Sequence, residues 1–193
     1  RLGDKQQWKT LCLPELLRGG ENKMPQKTVR TECEFDYEIV NKKIRPLAEQ
    51  LISKYDELHH IDADKILFVV NYKSVGSKKQ MTLAKTSKIP PKWIEILYQL
   101  DSCSYFYMIE FYAKTTSAMD EAQLVALIYR ELRRIGPEGD ILAPDVAEWY
   151  QVLMGLGRKW FYPDATCPNL LDDNVNWKKL MGTYYEEVRN ESE

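Results

Sequence analysis

Apolar positions after residue 45 predict a helix, a buried strand, a further strand, a short helix and a second buried strand, in that order. Four apolar residues follow Pro46 at helical spacing: Leu47, Leu51, Tyr55 and Leu58. Proline favours the first turn of a helix, so we expect the helix to begin near Pro46. Residues 65–72 and 105–112 are apolar runs rich in β-branched and aromatic side chains, which is typical of strands buried on both faces. Between them, residues 80–86 predict a further strand and residues 93–100 the short helix.

The second half of the chain predicts three more helices. Asp120 is a good N-cap, and Gln123 completes a capping box for a helix over residues 121–135 that stops at Gly136 and Pro137. One apolar stripe of this helix is expected to face the core: Leu124, Ile128, Leu132 and Ile135. Pro144 and Asp145 open the next helix, which Gly155 and Gly157 end. A last helix over residues 174–188 places apolar and aromatic residues, among them Trp177, Tyr184 and Tyr185, on one stripe, for which core packing is favoured over an interface.

This order of elements favours an α+β domain, with helices packed on a small mixed sheet. We expect an N-terminal extension over residues 1–35, the domain over residues 36–172, and a C-terminal helix and tail over residues 173–193. The net charge of -2 gives no basic surplus, which disfavours nucleic-acid binding by bulk electrostatics. Four scattered cysteines, Cys12, Cys33, Cys103 and Cys167, indicate reduced thiols, and no apolar run could span a bilayer, so we expect a soluble cytoplasmic protein.

A second stripe of the 121–135 helix carries charged residues at a chemically informative spacing. Arg130 and Arg134 stand one turn apart, with Glu131 between them. Two histidines at this spacing coordinate one zinc ion, while the glutamate acts as general base. In this chain, arginine occupies both ligand positions.

The flanks of this helix carry a family resemblance. EAQLVALIYRELRRIG, residues 121–136, resembles the metal-binding helix of the putative phage metallopeptidase domain family, a minimal zincin in which the helix reads H-E-L-x-H-I and a loop leads to H-D-V. APDVAEWY, residues 143–150, stands at the place of that second segment, and KILFV, residues 65–69, matches the strand pattern. The resemblance covers residues 46–171 and implies a zincin-like fold, zinc and a phage context.

The resemblance assigns the family's roles to four positions. The first histidine ligand falls on Arg130, the catalytic glutamate on Glu131, the second histidine on Arg134 and the third on Pro144. Arginine stays protonated and proline has no side-chain donor, whereas catalytic zinc needs about three protein ligands. We therefore expect no zinc cofactor and an inactive pseudo-metallopeptidase that binds a protein partner, in the conflict between phage and bacterial host.

Three other interpretations of these residues remain open. Arg130, Glu131 and Arg134 could form a partly buried ion-pair cluster that fills the former metal site, which we favour. Together with Arg133, the two arginines could instead bind an anion or a nucleic-acid backbone. A rearranged metal site would have to use His59 or His60, with acidic side chains such as Asp62 and Asp64.

Overall fold

The computed structural model describes residues 36–73, 82–144 and 148–182. Four strands form one mixed sheet in the order β1-β2-β4-β3: β1 Tyr37–Ile39, β2 Ile66–Asn71, β3 Ala84–Lys88 and β4 Tyr107–Tyr112. β2 and β4 run parallel, and each outer strand pairs antiparallel with its neighbour. The helices are α1 Asn41–Lys54, α2 Pro91–Asp101, α3 Ala113–Thr116, α4 Glu121–Leu132 and α5 Tyr150–Leu156, and residues 177–182 are also helical. The prediction of an α+β domain with a small mixed sheet is confirmed.

The sheet separates a large core from a small one. Alternate side chains of β2, at Ile66, Phe68 and Val70, face the large core, which α1 and α4 complete. Leu67 and Val69 face the other side, where α2 covers them. All six residues of β2 are buried, because β2 is an inner strand with a helical layer on each face.

The start of α4 confirms the predicted capping box, but its end differs from the prediction. The Asp120 carboxylate accepts from the Gln123 backbone N–H at 2.8 Å, and the Gln123 side chain accepts from the Asp120 N–H at 3.0 Å. The helix ends at Leu132 rather than at Ile135. Ile135, the predicted last residue, instead forms an isolated β-bridge with Ile141, which requires an extended backbone there and leaves the helix three residues shorter than predicted.

α1 begins five residues before Pro46, the predicted start. Val40 closes the first turn by accepting from the Ile44 N–H at 3.0 Å, and Ile44 is fully buried. Pro46 therefore lies inside the helix, where it removes one backbone hydrogen bond; burial of the preceding turn offsets that cost. α1 also ends at Lys54, so that Tyr55, predicted to be helical, is extended and yet buried.

The helix predicted to open at Pro144 begins instead at Tyr150, with Trp149 as its N-cap. Residues 145–147 lie outside the described residues. Gly155, predicted to end this helix, lies inside it: a Cβ there would come within 3.0 Å of the Trp177 ring. Glycine thus permits close contact with the C-terminal helix. Trp177 is buried against Tyr129 and Tyr55, with ring centroids 5.0 and 5.9 Å away, which confirms core packing for this residue.

Other predicted elements lie close to their observed positions. The strand predicted over residues 80–86 is β3, displaced toward the C-terminus; residues 80 and 81 lie outside the described residues, as do residues 1–35, Tyr184 and Tyr185. The helix predicted over residues 93–100 is α2. Cys103 and Cys167 are free thiols. Within the described ranges, every helix is too short or too polar to cross a membrane.

Candidate functional site

Glu131 is a charged side chain placed inside the core. It is fully buried on α4, a helix of which nine residues are buried because the sheet, α1 and α5 surround it. Its Oε2 accepts from the Thr86 hydroxyl of β3 at 2.8 Å, and its Oε1 accepts from Nη1 of Arg130 at 2.8 Å. A buried carboxylate is costly unless it is paired and hydrogen-bonded, and both conditions are met here.

Arg130 joins Glu131 to a second carboxylate. Its Nε lies 2.9 and 2.7 Å from the two carboxylate oxygens of Glu148, while Nη1 binds Glu131. The Arg130 side chain is only 15% exposed. Trp149, which follows Glu148 in the chain, contacts the backbone of Arg130, because its indole N–H donates to the Arg130 carbonyl at 2.9 Å. The guanidinium of Arg130 thus lies between two carboxylates, and its backbone accepts a hydrogen bond from Trp149.

Arg134 makes a weaker contact with the same carboxylate. Its Nε lies 3.3 Å from Oε2 of Glu131, within ion-pair range, but the N–H is not directed at an acceptor. The predicted cluster of Arg130, Glu131 and Arg134 is therefore present. With Glu148, it brings together two basic and two acidic side chains, so the formal charges balance.

Pro144 is the fourth position to which the resemblance assigns a family role. It lies just after the point where the chain returns to the C-terminal end of α4. The Leu142 N–H donates to the Arg134 carbonyl at 2.7 Å, two residues before Pro144. Glu148, which closes the cluster, lies four residues beyond Pro144. The chain thus brings a carboxylate to this site from the segment that is expected to carry the third histidine in the family.

Arg133 lies in a separate network on the flank of α4. Its guanidinium lies 4.8 Å from the centre of the Trp149 ring, and Nη1 donates to Gln151 at 2.6 Å. The same nitrogen lies 3.9 Å from Glu57, which accepts from the Tyr129 hydroxyl at 2.5 Å. Burial and this contact with Glu57 raise the pKa of Tyr129.

Anion binding by the three arginines stays a prediction. All three guanidinium groups already contact carboxylates of the chain itself. An incoming phosphate would have to compete with these carboxylates, so the charge balance of the site counts against it.

The histidines do not converge on one site. His60 Nε2 donates to the Ile135 carbonyl at 2.8 Å, whereas His59 Nε2 lies 3.8 Å from Asp56. Asp62 accepts from the Asp64 N–H, and Asp64 pairs with Arg45 at 3.2 Å. In the part of the chain that the structure describes, no group of three or more histidine, cysteine or acidic side chains could hold a metal ion. The rearranged metal site therefore has no support in these residues.

Two partners of the cluster, Thr86 and Glu148, were not identified from the sequence. Thr86 lies 45 residues before Glu131, and Glu148 lies 18 residues after Arg130. The strand of Thr86 reads AKTSK, so Thr86 stands among other polar residues and no local pattern marks its hydroxyl as buried.

A model of the family described as putative phage metallopeptidase matches residues 35–185, more than three quarters of the 193 residues. The chain belongs to this family. Neither a curated protein nor a solved structure matches it. The match confirms the resemblance over residues 46–171 and extends it at both ends, including the buried Trp177. It also crosses the boundary predicted at residue 172, and the division into extensions and domain stays a prediction.

The name of the putative phage metallopeptidase family implies a metal, and the residues at the corresponding positions do not fit one. Arg130 and Arg134 are cations without a free lone pair, and Pro144 has no side-chain donor. Glu131 could offer oxygen atoms, but both are already bound by Arg130 and Thr86. This donor set is therefore unsuitable for zinc, which takes nitrogen, sulfur or unoccupied oxygen ligands.

Proposed function

We propose that this chain is a catalytically inactive member of the putative phage metallopeptidase family that acts by binding another protein. The observation that carries the proposal is the ion-pair cluster at the expected metal site. Glu131, at the position of the general base, is fully buried and bound by Arg130 and Thr86. A guanidinium group now supplies the positive charge that a zinc ion would supply in an active relative.

The chemistry of peptide hydrolysis supports this interpretation. A general base must contact the water that it deprotonates, in a site that substrate can reach. The Glu131 oxygen atoms instead accept hydrogen bonds from side chains of the protein, and the carboxylate has no exposed surface. Activating water here would require breaking a buried ion pair, which costs about 3–5 kcal/mol.

A protein is the partner that the surface favours. Two large aromatic side chains away from β1 and α2, Tyr150 and Tyr162, are nearly half exposed, and such residues commonly anchor protein interfaces. The balance of 27 basic and 29 acidic residues offers no general attraction to nucleic acid. A role in the conflict between a phage and its bacterial host, inside the host cytoplasm, follows from the family context alone.

The metal content of the full chain tests the loss of the metal site. The protein is saturated with zinc, loosely bound ions are removed by a weak chelator, and zinc is counted by mass spectrometry. We expect less than about one tenth of a zinc ion per chain, because a catalytic site needs about three protein ligands. One tightly held zinc per chain would overturn the proposal, and His59→Ala and His60→Ala would then locate the ligands.

A restored variant provides the matched control. In Arg130→His/Arg134→His/Pro144→His, the three expected ligands return to their family positions. We expect this variant to hold about one zinc per chain where the natural chain holds none. Failure of a folded variant to bind would contradict the assignment of these three positions.

Peptidase assays then separate an inactive protein from a weak enzyme. We expect the natural chain and Glu131→Gln to give equal background cleavage of a mixed peptide library with zinc present. Cleavage by the natural chain that Glu131→Gln abolishes would show a working general base and refute the inactive assignment.

A further inference from the structure

The exposed apolar side chains of the domain are concentrated on one side. Among the described residues, eight large hydrophobic side chains are exposed, and six of them belong to β1, α2 or the segment that leads into β4. The most exposed are Leu100 at 78% and Ile39 at 64%. We refer to four of these residues as the β1–α2 face: Tyr37, Ile39, Trp93 and Leu100. Concentrated apolar surface of this kind usually marks a contact site.

The side chains of Tyr37 and Ile39 in β1 lie on the face of the sheet that α2 covers. Ile39 pairs with Val69 across the β1–β2 ladder, which places their side chains next to each other. Val69 lies in the small core, against which Ile94 and Leu97 of α2 pack. The end of α2 is linked to the start of α1, just after β1, because the Tyr105 hydroxyl donates to Asp101 at 2.6 Å and accepts from Asn41.

α2 carries more apolar surface than the sheet covers. No residue of this helix is fully buried, although Ile94 and Leu97 pack on the sheet. Trp93, Ile96 and Leu100 follow at i, i+3 and i+7, which aligns them on a second stripe. A helix with two apolar stripes usually packs against two neighbours. The sheet is one of them.

We infer that the second neighbour is the chain's own N-terminal segment. Residues 8–17, WKTLCLPELL, contain five large apolar residues: Trp8, Leu11, Leu13, Leu16 and Leu17. This segment precedes Asp36 and Tyr37, so it joins the domain at β1, on the edge that borders the exposed face. Its apolar residues cover the β1–α2 face of the same molecule.

The length of the connection allows this contact. Residues 18–36 can span up to about 60 Å when extended, whereas the 11 residues of α2 are only about 16 Å long. A tethered segment is present at an effective concentration in the millimolar range, so that a modest apolar contact suffices to hold it. The inference does not depend on the proposed loss of catalysis, since the β1–α2 face lies on the opposite side of the sheet from Glu131.

Photo-crosslinking in the full chain tests the contact. A photoreactive benzoylphenylalanine replaces Leu100, whose exposure makes the substitution tolerable, and crosslinked peptides are identified by mass spectrometry. Equal amounts of unlabelled and isotope-labelled protein are mixed beforehand, so that contacts within and between chains differ in mass. We expect crosslinks within one chain, to peptides that contain residues 8–17.

Two controls make the result decisive. The same probe at Tyr162, which is 44% exposed on the opposite side of the sheet, should give at least about tenfold fewer crosslinks to residues 8–17. Leu11→Asp/Leu16→Asp, with the probe at residue 100, should lower the yield by a similar factor while circular dichroism stays unchanged. Crosslinks between chains, no crosslink to residues 8–17, or a yield that these substitutions do not alter would each overturn the inference.

Discussion

Replacing Arg130 by alanine should destabilise the fold more than replacing Arg134, although both arginines contact the same carboxylate. Arg130 donates a 2.8 Å hydrogen bond to the fully buried Glu131 and also pairs with Glu148. Arg134 lies 3.3 Å from Glu131 without a directed N–H. The two substitutions remove the same charge at positions four residues apart and beside the same carboxylate, so their difference reports mainly on geometry.

The magnitudes follow from what each substitution leaves behind. Arg130→Ala leaves a buried carboxylate without its directed cation, which typically costs 3–5 kcal/mol. Because Thr86 and Arg134 still contact Glu131, we expect a loss of about 3 kcal/mol, the lower end of this range. Arg134→Ala removes only a poorly directed ion pair, and we expect a loss of about 1–2 kcal/mol.

Urea unfolding followed by circular dichroism measures both values. For a domain of this size, about 3 kcal/mol corresponds to a fall in the melting temperature of about 6–12 °C. Arg158→Ala is the control, since Arg158 is exposed and its loss should change stability by less than about 0.5 kcal/mol. An Arg130→Ala effect as small as the control would mean that the cluster is solvated. An Arg134→Ala effect larger than that of Arg130→Ala would refute the geometric argument.

Three further predictions concern the large core. Burial raises the pKa of Tyr55 to about 12 and also raises that of Tyr129. The folded state therefore holds both phenolic protons more tightly than the unfolded state. The stability that they contribute is complete below about pH 10 and is lost as the pH rises through about 12. Urea unfolding measured across that pH range will detect this loss. A free energy of unfolding that does not change over the range would contradict the prediction. Gly155→Ala should cost about 1–3 kcal/mol in thermal melts, because the new Cβ would come within 3.0 Å of Trp177, and an unchanged melting temperature would mean that these helices separate freely. Burial raises the pKa of the Cys167 thiol to about 12, so at pH 8 peptide mapping after alkylation should show slow modification that accelerates strongly in urea; equal rates in both states would refute the burial.

The sequence by itself determined the features that depend on near neighbours. The Asp120–Gln123 capping box and the buried strand β2 follow from local hydrogen bonding and apolar patterning. The unsuitability of Arg130, Arg134 and Pro144 as zinc ligands is a property of their side chains alone. The contact between Glu131 and Arg134 was also predictable, since residues at i and i+3 of a helical turn are neighbours, although it is the weaker of the two contacts that Glu131 makes with arginine.

Only the tertiary structure decided how the buried charge is satisfied and where the helices end. Thr86 and Glu148 come from a strand and a loop that are distant in sequence, and no local pattern indicates that they meet Glu131. α4 ends at Leu132 because Ile135 pairs with Ile141, and Gly155 continues a helix because Trp177 packs on it. In each case a contact made outside the helix outweighs a local preference of about 1 kcal/mol, and helix propensity and capping patterns do not specify such contacts.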